Sequence, residues 1–200
     1  VAGNKWALLP SAAGFVDPLL STGFPLTLLG ISRLAKILEH GLQASVLASA
    51  LTDYERRTLA ELDATAELIS ALYACFTVPR LFNAVSLLYF AAASYSETVR
   101  RLNRPQLATS FLLRDHPRFS PAVRDLCRNV RRLAGIRSVA EEDLSAFEEA
   151  VRRTIEPFNV AVQGAEQPII PDPKVRYGEG LRLARPEHAI FKDKRYCFPQ

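Results

Sequence analysis

The apolar residues between positions 24 and 157 recur every three or four residues, and this helical spacing constrains the fold more than any other feature. Pro25 suits the first turn of a helix, and Gly41 suits the position just after the last turn. The pattern therefore predicts a helix from Phe24-Pro25 to His40-Gly41. Its apolar positions are Leu28, Ile31, Leu34, Ala35 and Leu38.

The same reasoning predicts two long helices in the middle of the chain. One is expected to begin after Thr52, with acidic residues in its first turn, and to continue to about Cys75. Pro79 then interrupts the pattern, and residues 81–102 are predicted to form the next helix, which is apolar all round at first. A helix without a polar face is buried, so we expect this one to be central to the core.

Two shorter helices are predicted further along the chain. Ser120-Pro121 has the residue types of a helix cap followed by proline at the first helical position, and the pattern continues to about Leu133. Ser138 and Glu141 have the spacing of a capping box, and Pro157 marks the end of the last helix.

The two ends of the chain carry little helical signal. Lys5 to Leu9 predicts a short buried strand, whose pairing partner we expect outside this chain. Prolines and glycines punctuate residues 158–200, which predicts an extended tail that wraps around the body. The predicted fold class is mainly α, with one short strand at the start and an irregular Pro/Gly-rich tail. The expected parts are residues 1–41, a helical region at 42–157, and the tail.

Composition argues against several classes of function. The net charge of +4 comes from 25 basic and 21 acidic residues spread along the chain, so we expect no nucleic-acid partner. Cys75, Cys127 and Cys197 are widely spaced without a CxxC pair, which argues against a disulfide framework or a thiolate zinc site and favours a cytoplasmic location. The three histidines are too scattered to indicate a metal site. We also expect no membrane span, because no stretch reaches about twenty apolar residues.

The segment from Trp6 to Arg33 carries most of the functional information. Two small-residue turns, at Ser11 to Gly14 and at Ser21 to Gly23, precede the first predicted helix. The N–H groups at a helix start lack partners within the helix and carry a partial positive charge, so they favour an anionic or electron-rich group. From the residues alone this is an anion or cofactor site, with an ordinary loop packed under a helix as the alternative.

Two motifs in this segment match known patterns. Ala12-Ala13-Gly14-Phe15 followed by Asp17-Pro18 resembles the second FAD motif of glutathione-reductase-type flavoproteins. The spacing of Phe15, Pro18, Ser21 and Gly23 is similar to the FxxPxxSxG signature of flavin-dependent halogenases and their relatives. Over about residues 5–40, the chain therefore resembles the C-terminal part of an FAD-dependent oxidoreductase of the halogenase-like monooxygenase group.

The resemblance implies where FAD would lie. Ser11 to Phe15 would lie against its ribityl and pyrophosphate groups, and Asp17-Pro18 beside the isoalloxazine ring. The backbone near Thr22 and Gly23 would face the N1–C2=O2 edge, where preorganised donors stabilise the charge that develops on reduction. In halogenating members the same backbone helps to hold chloride. The implied cofactor-binding residues are Ser11, Ala12, Ala13, Gly14, Phe15, Asp17, Pro18, Ser21, Thr22 and Gly23, and no catalytic residue or metal ligand is assigned.

The sequence departs from the family pattern at two places. Pro10-Ser11 replaces the usual Gly-Asp, so the carboxylate that accepts a hydrogen bond from the ribityl chain is missing, and Ser11 would accept a weaker one. Leu20 stands where tryptophan halogenases have a glutamate, which argues against halogenation of indole.

Other family motifs belong to an N-terminal half: a catalytic lysine, a WxWxIP motif and a GxGxxG fingerprint. The chain contains none of them and has no methionine, even at position 1. We therefore expect a longer protein, in which a dinucleotide-binding half is the partner of this chain and a small molecule is the substrate. The fragment alone is expected to be inactive. Halogenation, hydroxylation and reduction stay open, and so do two alternatives: a flavoprotein of the geranylgeranyl-reductase type and a non-enzymatic helical interaction module.

Overall fold

The computed structural model describes residues 1–3, 5–39 and 44–158, and most of them are helical. The mainly α fold class predicted from the periodicity is confirmed. Short 3-10 segments at Leu19–Ser21, Pro105–Leu107, Phe111–Leu113 and Glu156–Phe158 lie between or after the main elements. Within this part of the chain the strands and α-helices are β1 Ala2–Gly3, β2 Trp6–Ala7, α1 Pro10–Ala13, α2 Gly23–Glu39, α3 Ala44–Ala74, α4 Pro79–Arg101, α5 Phe119–Ala134 and α6 Glu141–Ile155.

Helix α4 lies at the centre of the core, as its all-round apolar sequence predicted. It packs against α3, α5 and α6, and five of its side chains are almost completely buried. Burying a large aliphatic side chain contributes about 1.5–3 kcal/mol, so the leucines and valines among them stabilise the helical region. The five are Leu81, Val85, Leu88, Ala92 and Val99.

Helix α3 begins earlier than the sequence predicted. The prediction used Thr52 as the residue before the helix, but α3 already starts at Ala44. The Thr52 hydroxyl donates to the carbonyl of Ala48, four residues earlier in the same helix, over 2.9 Å. A threonine can make this bond inside a helix as well as capping one, so its type alone did not fix the helix start.

Neither predicted side-chain cap of the last two helices is formed. Ser120 lies inside α5, and the backbone amides of Arg118 and Phe119 donate instead to Nδ1 of His116. The residue before α6 is Ala140, and no side-chain cap bond is formed there. The interpretation of His116 as part of a helix-entry loop is confirmed, whereas the caps at Ser120 and Ser138 were wrong.

The predicted buried strand at Lys5 to Leu9 was also wrong. The strand is limited to Trp6–Ala7, and it pairs antiparallel with Ala2–Gly3, so its partner lies within the chain. Trp6 is 57% exposed. Its indole covers Gly3, where an added Cβ would lie 2.5 Å from the ring nitrogen. The short hairpin is closed by its two strand pairs and by the contact of Trp6 with Gly3, and β1 also packs on α3.

The first part of the chain runs alongside α3. Contacts with α3 follow in order, since the Leu8 carbonyl accepts a hydrogen bond from Tyr54, Gly14 lies against Leu62, and Asp17 accepts one from Tyr73. Helix α2 then packs on both α1 and α3. The segment that carries the two motifs is therefore positioned by α2 and α3.

Most of the predicted tail at 158–200 lies outside the described residues. Phe158 is described, and its buried ring packs edge-to-face on Tyr95, His116 and Phe119. Among the helices of the described ranges, none is long and apolar enough to cross a membrane. The domain boundaries predicted at residues 41 and 157 stay predictions.

Candidate functional site

The candidate cofactor-binding residues form a continuous surface segment between β2 and α2. Gly14 and Asp17 are half-buried, and so is Ala13, while Thr22 is almost completely buried. The segment therefore presents a surface that another molecule can reach. Its exposed members are Ser11, Ala12, Phe15, Pro18, Ser21 and Gly23.

The first small-residue turn is in fact one turn of helix. Residues Pro10–Ala13 form α1, and the amide of Gly14 closes it by donating to the carbonyl of Pro10 over 2.9 Å. Proline at the first helical position explains this, because its fixed φ suits a helix start. The prediction of a plain turn at Ser11 to Gly14 was wrong, although the residues remain accessible.

Pro10 anchors this segment to α2 through a glycine. A Cβ added to Gly30 would lie 2.4 Å from Cδ of Pro10 and 3.2 Å from the hydroxyl of Tyr54. Such a distance leaves no room for any side chain, so glycine is required where the proline ring crosses α2. Pro10, the residue that departs from the usual Gly-Asp, thus has a packing role.

Asp17 is used inside the turn. Its Oδ1 accepts hydrogen bonds from the amide of Leu19 over 2.8 Å and from the hydroxyl of Tyr73 over 2.9 Å. The bond to Asp17 raises the pKa of Tyr73, so this tyrosine stays a donor. The carboxylate therefore shapes the chain at the place where the FAD motif has its Asp-Pro pair.

Two successive residues before α2 have left-handed backbone. Leu20 has φ 60° and Ser21 has φ 51°. A non-glycine residue pays on the order of 1–2 kcal/mol for this conformation, so it persists where surrounding contacts enforce it. One such contact is the hydroxyl of Tyr89, which donates to the Leu20 carbonyl over 2.9 Å.

The start of α2 has free donors and open space. The amides of Gly23 and Phe24 donate to no other residue of the described part of the chain, and Pro25 has no N–H. A Cβ added to Gly23 would meet nothing within 4 Å. Thr22 is 1% exposed, and its hydroxyl has no hydrogen-bond partner among the described residues. An electron-rich group placed here would meet unused donors and the positive end of a 17-residue helix.

These observations fit the group that the motifs imply. The edge of a flavin that gains negative charge on reduction needs preorganised donors and a close backbone approach, and the start of α2 offers both. The ribityl side fits less well, since exposed Ser11 is neutral where the family has a carboxylate.

A partly buried ion pair between α2 and α3 was not predicted. Arg33 on α2 donates two hydrogen bonds of 2.7 Å to Glu61 on α3, and Glu61 also accepts from the amide of Phe111 over 2.8 Å. Burial lowers the pKa of Arg33, but the hydrogen bond and charge of Glu61 outweigh this effect and raise it above its usual value. The pair joins α2, α3 and the 3-10 segment at Phe111–Leu113.

Comparison with known families found a similarity that covers the first part of the chain. Residues 4–78 match the model of the tryptophan halogenase family. This match supports a flavin-dependent, halogenase-like family for well under half of the chain. These matched residues, called the halogenase-like segment below, contain β2, α1, the turn before α2, and helices α2 and α3. Searches of curated proteins and of solved structures found no match.

Outside the halogenase-like segment, the other candidate chemistry is weak. A cavity of about 30 Å³ between α3, α4 and α5 has room for about two water molecules, and Cys127 lines it. Burial raises the pKa of Cys75 to about 11 and that of Cys127 to about 12, so neither thiol is a nucleophile at neutral pH. Within the described ranges, no three His, Cys, Asp or Glu residues cluster as metal ligands.

Proposed function

We propose that this chain is the C-terminal part of an FAD-dependent oxidoreductase of the halogenase-like monooxygenase group. In this proposal residues 11–23 contact FAD, and the part directly before α2, Leu20 to Gly23, is the flavin-facing turn. The observation that carries it is the open start of α2 inside the matched segment, with unused amides at Gly23 and Phe24 and empty space at Gly23.

Bound FAD would supply the redox chemistry, and the chain would supply orientation and electrostatic support. The backbone of Ser11 to Phe15 would lie along the ribityl and pyrophosphate groups, with Asp17-Pro18 beside the ring. The amides of Gly23 and Phe24, which have no partner in the described part of the chain, would donate toward the charge that develops on reduction, and the field of α2 would add to this. The one carboxylate among these residues, Asp17, accepts hydrogen bonds from Leu19 and Tyr73 inside the turn, and no catalytic residue is assigned.

An exposed apolar face on α2 supports the proposed partner. Phe24, Leu28, Ile31 and Leu38 recur at helical spacing and are between 47% and 72% exposed. A row of exposed apolar side chains along one helix face is typical of a protein–protein interface. Because this row starts at the proposed flavin-facing end of α2, we propose that the dinucleotide-binding half of the same protein packs against it and completes the FAD site.

The reaction class beyond flavin-dependent oxidation or reduction is left open by the residues. Leu20, in place of the glutamate of tryptophan halogenases, is partly buried in the left-handed stretch, and its carbonyl is bonded to Tyr89. This arrangement offers no acid for indole substitution. We therefore propose a small-molecule substrate and a reaction other than halogenation of indole, with reduction of the geranylgeranyl-reductase type as the alternative chemistry.

The experiment that tests the proposal compares FAD binding in two forms of the protein. Flavin fluorescence would be titrated with this chain alone and with a polypeptide that also carries its dinucleotide-binding half. The longer form is expected to bind FAD at least about a hundredfold more tightly, because most contacts to the adenosine and pyrophosphate would lie in that half. A longer form that binds no FAD would instead favour a non-enzymatic helical interaction module. Tight binding by this chain alone would contradict the role given to the partner half.

A further inference from the structure

Two tyrosines of the helical region donate hydrogen bonds to the turn before α2. Tyr89 on α4 donates to the Leu20 carbonyl over 2.9 Å, across 69 positions of sequence. Tyr73 on α3 donates to Asp17 over 2.9 Å, across 56 positions. The turn is therefore fixed to two helices that lie outside it in sequence.

The two bonds differ in their surroundings. Tyr73 is 52% exposed, so water competes for its hydroxyl, whereas Tyr89 is 9% exposed. Burial raises the pKa of Tyr89, which keeps its hydroxyl protonated and able to donate. The ring of Tyr89 also packs edge-to-face on Phe90 at 5.4 Å. The Tyr89 bond is thus the better shielded of the two.

The acceptor of the Tyr89 bond lies at the strained point of the turn. The Leu20 carbonyl belongs to the peptide that joins two left-handed residues, Leu20 and Ser21. If that peptide were released, both residues would relax toward ordinary backbone angles. The next two peptides carry the amides of Thr22 and Gly23, so their direction would change with it.

We propose that Tyr89 is a positioning residue for the flavin-facing turn. By holding the Leu20 carbonyl, it keeps Leu20 and Ser21 left-handed and sets the direction of the amides at the start of α2. This inference rests on the proposed function, because the direction of these amides matters for a flavin at that place. It assigns the helical region a role in tuning the cofactor from a distance.

The first test measures the turn itself, in this chain and without a cofactor. Tyr89→Phe removes the hydroxyl and keeps the ring. Tyr54→Phe is the matched control, because Tyr54 donates an equivalent bond of 2.8 Å to the Leu8 carbonyl. Exchange of the Ser21 and Leu26 amides, which donate to Pro18 and Thr22, would be followed by NMR. Tyr89→Phe should speed it about fivefold, the effect of one lost hydrogen bond. Equal exchange in the two variants would overturn the inference.

The second test uses the longer FAD-binding form. Tyr89→Phe should weaken the binding of reduced relative to oxidised flavin by about tenfold, which lowers the two-electron reduction potential by about 30 mV. Tyr54→Phe should leave the potential unchanged. An unchanged potential in Tyr89→Phe would overturn the positioning role. If the unmodified longer form binds no FAD, the proposed function fails, and the exchange measurement still decides whether Tyr89 holds the turn.

Discussion

Two glycines of α2 lie in opposite surroundings, and only the first of them, Gly23, belongs to a motif that the sequence shows. Gly23 faces open space, and an added Cβ there touches nothing. Gly30 is closed by the ring of Pro10, at distances that no Cβ tolerates. The first glycine is therefore free to serve a ligand, while the second is required by packing.

Gly23→Val is expected to leave the fold intact and to impair flavin chemistry. The valine side chain has room in the protein, because an added Cβ meets nothing within 4 Å. It would, however, occupy the space through which the isoalloxazine ring is proposed to approach the α2 amides. Loss of one aligned donor costs about 2–4 kcal/mol in comparable sites, so turnover should fall about a hundredfold. Turnover and reduction potential of the longer form would be measured beside its thermal midpoint.

Gly30→Ala is the matched control on the same helix and should show the converse. Its methyl group overlaps Pro10, so the free energy of unfolding should fall by about 1–3 kcal/mol. The reduction potential of the folded fraction should stay unchanged. A Gly23→Val variant with normal turnover and potential would mean that the turn does not face the flavin.

At the scale of single elements, the start of α5 depends on the protonation of His116. Its Nδ1 accepts the amides of Arg118 and Phe119, which requires an unprotonated nitrogen. Burial, and then the charge of Arg118, lower the pKa of His116. The unfolded chain therefore takes up the proton first as pH falls. The stabilising effect is complete above the usual histidine pKa and is lost as pH falls through the lowered value.

His116→Asn keeps an acceptor near the helix start and removes the titration. Relative to this variant, the parent chain should lose unfolding free energy as pH falls from above the usual histidine pKa through the lowered pKa of His116. Urea unfolding of both forms at several pH values gives the difference, in which the other histidines cancel. A difference that does not change with pH would show that His116 does not control the start of α5.

The sequence predicted the helices well because their apolar residues recur at helical spacing, which is visible without the fold. The periodic face need not be buried, since that of α2 is exposed at Leu28, Ile31 and Leu38. Caps were predicted poorly. Ser120 and Ser138 have capping chemistry, yet the α5 amides bind His116, a residue that is rarely considered for this role. Which nearby acceptor reaches an amide depends on the path of the entry loop, and that path is set by packing. The same limit explains Thr52 inside α3.

At the scale of the whole molecule, the described thiols belong to the core. Cys75 and Cys127 are fully buried, and with pKa values of about 11 and about 12 the thiolate fraction at pH 8 is below about one part in a thousand. In a Cys197→Ser variant, neither thiol should react with a disulfide reagent until the chain unfolds. Labelling with and without denaturant measures this. Rapid labelling of the native chain would contradict the packing of α3 against α5.

The candidate site was predictable only in part for a reason that also applies to the whole molecule. The motif residues from Ser11 to Gly23 could be recognised because they are local in sequence. The bonds that shape them come from Tyr73 and Tyr89, and Arg33 pairs with Glu61 across 28 positions. A chain with 25 basic and 21 acidic residues offers many such pairs, and nothing in their spacing selects one.

Helix α3 sets the distance between two contacts that it makes with the first part of the chain. Tyr54 contacts Leu8 and Tyr73 contacts Asp17. At the rise of an α-helix these two tyrosines are about 29 Å apart along the helix axis. One residue inserted between them would rotate Tyr73 by about 100° around the helix axis relative to Tyr54, and so away from Asp17. A length change between Tyr54 and Tyr73 would therefore separate the turn from α3. A length change in α3 before Tyr54 would keep the two tyrosines in the same relative orientation.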